Sequence, residues 1–475
     1  MKRLLVHGII ASTGLLASAC TVGPDYVRPT ITVPKVYKEA PPGWRIAQPA
    51  DRGQRGPWWK MFHDPELDRL EEDAARENQS IIAADAHYRQ ALAVVDQNVA
   101  SLFPIVSARA YGQRLANPAI GVPLPPQTYR SASVSASWVP DLWGAARRSI
   151  EAARANAESS ADTSDAAMLS LQATLATDYF ALRIADGQQR LLHDAVRADR
   201  RLLQIARHRY RSGVAGRIEV VQAQGQLDQA RTQAVDIGIQ RAQLEHAIAV
   251  LTGKAPAVFA IAPRPTIPAP PPIPLEIPGA LLQRRPDVAS AERLAAAANA
   301  QIGIAQAAFF PTVTLSARGG YRAPGTLNLF AIPARFWALG PALAATIFDG
   351  GVRSAVKQQA IDNYQAAVAT YRQTVLSALQ NVEDALVAQR VLREEAVMER
   401  AAVDDAVDAV RMTTNQYRGG TAGYLDVLTS RTAMLANRMT ALNIHGRRLA
   451  ASVALVAALG GDWNRAADQP ESQQP

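Results

Sequence analysis

A chain of 475 residues exceeds what one ordinary compact core organises, so two or three units are expected. Hydrophobic residues make up 48% and aromatics only 6%, with Ala and Gln abundant, which favours long helices over a large sheet. The net charge of +8 is spread over arginines set beside acids, as in "RLLHDAVRADRRLLQIARHRYR", and not gathered with stacking aromatics; this argues for solvated helix faces and against a nucleic-acid partner.

The chain opens on "MKRLLVHGIIASTGLLASAC", with a basic start (Lys2, Arg3), a short apolar run and small residues before Cys20. Residues 1–19 read as an export signal, because the apolar run is shorter than the ~20 residues that span a bilayer. Cys20 is the only cysteine, so no internal disulfide can form. It resembles a lipobox cysteine, which receives a diacylglycerol; Leu16 sits one place further from it than is usual, and Thr21 follows it. Ordinary cleavage after Ala19, leaving a free thiol, is the alternative. Residues 20–63 read as an extended N-terminal segment. No other apolar run of about 18 residues occurs, so any further membrane crossing must use strands.

Two large repeats follow, at residues 64–253 and 275–461. "YRSGVAGRIEVV" from Tyr210 returns as "YRGGTAGYLDVL" from Tyr417, 207 residues on. "FPIV" at Phe103 returns as "FPTV" at Phe310, "WGAAR" at Trp143 as "DGGVR" at Asp349, and "LTGK" at Leu251 as "LGGD" at Leu459. Each repeat reads as helix, FP corner, strand, loop, strand, very long helix, Gly-rich turn and helix. That is a duplication of one unit and not a solenoid of short periods.

Residues 105–113, 130–138, 312–321 and 336–347 are expected as strands. "RSASVSASW" places Ala132, Val134, Ala136 and Trp138 opposite Ser131, Ser133, Ser135 and Ser137, the alternation of a strand with one apolar face. "TVTLSARGGY" sets Val313, Leu315 and Ala317 against Thr312, Thr314, Ser316 and Arg318. Aromatics lie near both ends of the candidates: Phe103 and Tyr111, Tyr129 and Trp138, Phe310 and Tyr321, Phe336 and Phe348. Interfacial girdles produce such placement, and a soluble half-buried sheet alternates as well. Four strands cannot close a barrel, so spanning strands require several copies, three or four.

From Ala145 to Arg211 there is no proline and one glycine, enough for a helix of ~100 Å. From Val352 to Arg418 there is neither. Val352, Val356, Tyr364, Tyr371, Val375, Leu379, Val382 and Leu386 mark one stripe that asks for partner helices. The tips of the two hairpins fall at 212–217 and 418–423. Residues 254–274 form a proline-rich connector, and 462–475 a polar tail expected to be disordered.

Taken together, "TVGPDYVRP", "WWKMFHDPELDRL", "DLWGAARRSIEAARA", "LLQRRPDVASAERLAAAANAQIGIAQAAFFPTVTLSA", "IFDGGVRS" and "YRGGTAGYLDVL" resemble the TolC-like outer-membrane efflux channels, in the lipoprotein branch of NodT or OprM type. The resemblance covers nearly the whole mature chain. It implies a mainly α fold with a small β part: a homotrimer whose four strands per chain make a 12-stranded barrel and whose helical hairpins make an α-barrel through the periplasm. It implies a passive exit duct for drugs, metals or metabolites, partnered by a periplasmic adaptor and an inner-membrane RND-type pump, and anchored in outer-membrane lipid through Cys20. The tips implied to touch the adaptor are Ser212, Gly213, Val214, Gly216, Gly419, Gly420, Thr421 and Gly423. The periplasmic gate implied is Tyr417 bonding to Glu219, with Asp426 as a ring of negative charge. Glu219 and Asp426 are equally read as acids favouring a helix N-terminus. The family's gating arginine aligns with Ala422, and Arg211 or Arg418 is expected to replace it.

No enzyme motif, catalytic residue, cofactor or metal-ligand spacing is present in the sequence. His63-Asp64 reads as a hydrogen bond at an interface. The rival readings are a protein-secretion outlet on the same fold and a non-conducting periplasmic scaffold lipoprotein, which leaves the strands unexplained.

Overall fold

The computed structural model describes residues 21–31, 37–39, 57–116, 118–119, 122–123, 126–264, 266–271, 285–325 and 328–461. The signal at 1–19, Cys20, residues 272–274 of the connector and the tail at 462–475 lie outside the described residues. The helices are α1 (Pro65–Glu77), α2 (Gln79–Ala100), α3 (Ala145–Arg211), α4 (Arg217–Leu251), α5 (Pro286–Ala307), α6 (Val352–Gly419) and α7 (Tyr424–Ala458). The long strands are β1 (Ile105–Leu115), β2 (Gln127–Trp138), β3 (Thr312–Pro324) and β4 (Arg335–Ala344). Among the described residues no helix is long and apolar enough to cross a membrane.

The chain divides into two compact units, and neither is a repeat. The first takes residues 1–31, 87–161 and 290–372; the second takes 32–86, 162–289 and 373–475. Each draws on both repeats, because the long helices contribute their beginnings to one unit and their ends to the other.

In the first unit, β1, β2, β3 and β4 form one antiparallel sheet in that order. Register fixes the two faces. Ser107, Arg109 and Tyr111 oppose Ser135, Ser133 and Ser131, which oppose Arg318, Gly320 and Arg322. Ser107 and Ser135 share a hydroxyl hydrogen bond of 2.9 Å on that polar face. Val106, Ala108, Val134, Ala136, Leu315, Ala317, Leu339 and Leu343 hold the other face. Strand parity corrects the girdle reading. Tyr111, Tyr129 and Phe336 stand on the polar face, since nearness to a strand end says nothing about which side a residue points to. Trp337, in contrast, lies on the apolar face and is 73% exposed.

Strand ends also differ from the alternation pattern. β2 starts at Gln127 because Thr128 and Tyr129 pair with Arg114 and Gln113 of β1. β4 stops at Ala344, opposite Thr312, because Pro311 precedes Thr312 and has no N–H to extend the ladder.

Both corners leading into the long helices are capped by an acid, and the first carries an aromatic stack as well. Trp143 stacks on Phe310 at 4.8 Å and donates from its indole to the Pro311 carbonyl at 2.7 Å. Asp141 accepts from the amides of Ala146 and Arg147, and Asp349 from those of Gly351 and Arg353, so each acid caps the N-terminus that follows it. The N-terminal "TVGPDYVRP" is clamped in the same unit. The Arg148 guanidinium donates to the Val22 and Gly23 carbonyls and to Asp25, and Tyr26 donates to Glu292 at 2.7 Å. Gly23 has φ +105, and a Cβ there would meet the Gly303 Cα at 2.4 Å, so this contact requires glycine.

The second unit has its core where Trp58, Trp59 and Phe62 meet Leu67, Leu70, Tyr179, Phe180, Ile248 and Leu449. Asp64 caps α1 by accepting from the Glu66 and Leu67 amides, and it takes the Tyr179 hydroxyl at 2.7 Å. His63-Asp64 is therefore a chain reversal and a helix cap within one chain; His63 has φ 52. The start of the connector is pinned by a buried cluster. Asp186 accepts from Arg183 and Arg241, which donate on to the Ala262 and Ile261 carbonyls. The apolar stripe of α6 is buried at Tyr371, Val375, Val382 and Leu386, but Val352 and Val356 are exposed in the single chain.

Candidate functional site

The hairpin tips of the second unit gather the residues singled out above. Both tips reverse by the same backbone device. Gly213 (φ 73) and Gly420 (φ 80) are left-handed, Val214 N–H donates to the Arg209 carbonyl at 2.9 Å, and Thr421 N–H to the Gln416 carbonyl at 2.9 Å. This six-residue closure satisfies carbonyls at the end of a helix and needs glycine at one position. Gly216 and Gly423 do not share that need: they are extended N-caps of α4 and α7, with φ −76 and −81. Gly419 is the last residue of α6. Of the five glycines, two make the reversal. Ser212, Gly213, Val214, Gly216, Gly419, Gly420, Thr421 and Gly423 are all exposed.

Above the tips, α3, α4, α6 and α7 close on a small core of Leu202, Leu203, Ala206, Ala223, Leu227, Tyr417, Tyr424 and Val427. Tyr417 is fully buried. Its hydroxyl donates to Glu219 at 2.8 Å, joining the second hairpin to the first. Burial, and then the adjacent Glu219 carboxylate, hold the Tyr417 phenol well above its ordinary value. Tyr424 packs edge-on to Tyr417 at 6.0 Å, and burial followed by Asp199 pushes its phenol up to about 12.

Arg211 and Arg418 are exposed in the single chain. The guanidinium that meets Tyr417 is that of Arg209, 4.6 Å from the centre of the ring and donating to the Tyr417 carbonyl at 2.7 Å. Arg209 follows Leu202 and Ala206 on the buried face of α3, and that spacing was the available signal. A second cross-hairpin pair joins Asp199 to Arg431 at 3.1 Å. Its burial raises the Asp199 carboxyl against the pull of Arg431, and lowers the Arg431 guanidinium.

Asp426 stands apart from this cluster. It is exposed, and its carboxylate accepts from the Gly423 amide at 2.9 Å, closing the N-terminus of its own helix. Within one chain Glu219 and Tyr417 are brought together and Asp426 is not.

Comparison with known proteins agrees with this architecture. The family model for the outer membrane efflux protein matches residues 70–254 and 277–461. The toluene efflux pump outer membrane protein TtgC of Pseudomonas putida is 28% identical over 471 residues, covering 98% of this chain and 97% of that one. The pyoverdine export outer membrane protein OpmQ of Pseudomonas aeruginosa is 29% identical over 435 residues, covering 89% and 91%. The solved outer-membrane channel OprN superposes with a TM-score of 0.86 at 28% identity, over 94% of this chain and all of that one.

Proposed function

This chain belongs to the outer membrane efflux protein family, and from that premise we propose how it works as the outer-membrane exit duct of an efflux pump. Three copies close twelve strands into one barrel. The sheet carries this reading: it has an apolar face, a polar face and two open edges, β1 and β4, which lipid does not tolerate. Exposed Val352 and Val356 on α6 are further apolar surface for a second copy.

The helical hairpins extend the conduit through the periplasm. The exposed tips, Ser212 to Gly216 and Gly419 to Gly423, dock a periplasmic adaptor that couples the duct to an inner-membrane RND-type pump. The pump supplies energy and selection. TtgC and OpmQ are named for cargoes as unlike as toluene and pyoverdine, which fits a common duct served by different pumps. Cys20 is acylated, and several acyl chains anchor the N-terminus firmly. The Tyr417 to Glu219 bond holds the tips closed, and Asp426, recurring around the axis, sets a ring of negative charge at the mouth.

Single-channel recording of the purified protein tests the duct: discrete conductance with a trimer by native mass spectrometry is expected, and a silent monomer contradicts it. Mass spectrometry of the mature N-terminus tests the anchor, which an unmodified Cys20 would remove.

A further inference from the structure

The β part of this chain is charged with one sign only. No Asp or Glu occurs between Asp96 and Asp141, or between Glu292 and Asp349. Those two stretches hold all four strands and the loops between paired strands. The charged residues within the strands are Arg109, Arg114, Arg130, Arg318, Arg322 and Arg335, with no lysine. Net charge elsewhere in the chain is mixed, so this separation is local.

Register divides the six. Arg109, opposite Ser133, stands on the polar face with Arg318, opposite Ser135, and Arg322, opposite Ser131. Arg114, Arg130 and Arg335 fall on the other face, towards the loop end. The polar-face guanidiniums are held without any carboxylate. Arg318 and Arg322 flank the ring of Phe336, at 5.5 and 5.2 Å, and Arg318 donates to the Ser133 hydroxyl at 3.3 Å. Phe336 sits directly opposite Gly320, which has no side chain to occupy the gap. Among the described residues no ion pair neutralises Arg109, Arg318 or Arg322. A cation stacked on an aromatic ring keeps its whole charge, whereas a salt bridge cancels it.

In a barrel of alternating strands the polar face lines the lumen, and rings of arginine select anions. We infer that the β-barrel section of the conduit is an anion-selective collar formed by Arg109, Arg318 and Arg322, and that it favours small molecules bearing carboxylate or phosphate groups. This rests on the duct reading above. A cargo molecule passing through the barrel therefore meets a cationic wall.

The test is block of single-channel current from the chamber facing the strand loops, with inositol hexakisphosphate as the anionic probe and hexamminecobalt(III) as the cationic one. The anion should block wild type and the cation should not. Arg109→Gln/Arg318→Gln/Arg322→Gln should weaken anion block by about tenfold or more, and Arg109→Gln alone, which leaves the Phe336 stack intact, should weaken it by a few fold. Anion block as strong in the triple variant as in wild type, or stronger block by the cation, overturns the collar while leaving the duct. Absence of conductance in every variant overturns the duct and the collar with it.

Discussion

At the first tip the chain reads Arg209, Tyr210 and Glu219; at the second the same positions, 207 residues on, are Gln416, Tyr417 and Asp426. The backbone reversal is shared, down to the left-handed Gly213 and Gly420. The side chains are not. Tyr417 is buried and bonded to Glu219, while Tyr210 is 47% exposed; Asp426 closes its own helix, while Glu219 reaches the other hairpin. Asp199 and Arg431, the buried pair above, correspond to Ala406 and Gln224. Duplication conserved what each hairpin needs in order to turn. Divergence supplied what joins one hairpin to the other, which two identical hairpins do not provide.

This contrast is sharpest at Asp199. Replacing it with Ala leaves the Arg431 guanidinium mostly buried and unpaired, a loss of about 3 kcal/mol. Hydrogen exchange at residues 424–431 should rise steeply, and Ala406→Ser at the equivalent position should change nothing. Tyr417→Phe comes next, removing a hydrogen bond to a charged group worth roughly 1.5–3 kcal/mol, where Tyr210→Phe should leave exchange at the tips unaltered. Gly213→Ala and Gly420→Ala are the symmetric control. Each forces φ > 0 on an L-residue at about 1–2 kcal/mol, in equal measure, since nothing lies within 4 Å of either new Cβ. Gly216→Ala and Gly423→Ala should cost less, and a larger loss there would break the division between turning and capping glycines.

Alkaline pH separates the tips more gently. The Tyr417 and Tyr424 phenols are raised in the folded chain, so the stability they contribute is complete below the ordinary tyrosine value and is lost as pH rises towards the folded value, about 12 for Tyr424. Exchange at the second tip should increase above pH ~10, and Tyr417→Phe should blunt the change.

The long helices were legible because a proline-free run with a periodic stripe admits little else. α3 spans Ala145 to Arg211, and α6 reaches one residue past Arg418. Strand faces were legible at Ser131 to Ser137, where alternation is strict, and at Tyr111, which shares a face with Ser107 and Arg109 by parity alone; in Arg335–Ala344, which is apolar on both sides, the lumen-facing side of Phe336 shows only through its pairing with Gly320. Arg209 was missed for a related reason. Arg211 and Arg418 are the arginines that directly adjoin the two tips, but a helix presents every third or fourth residue to a neighbour, and Arg209 continues the buried stripe of Leu202 and Ala206. The compact units cut across the repeats because a helix of this length cannot lie within one core.

Resting conductance in a planar bilayer tests the cross-hairpin lock most directly. Tyr417→Phe/Glu219→Gln should raise it well above wild type, while Tyr210→Phe/Ala406→Ser, at the positions equivalent to Tyr417 and Asp199, should leave it at the wild-type level. Equal conductance in the two double variants would contradict the account.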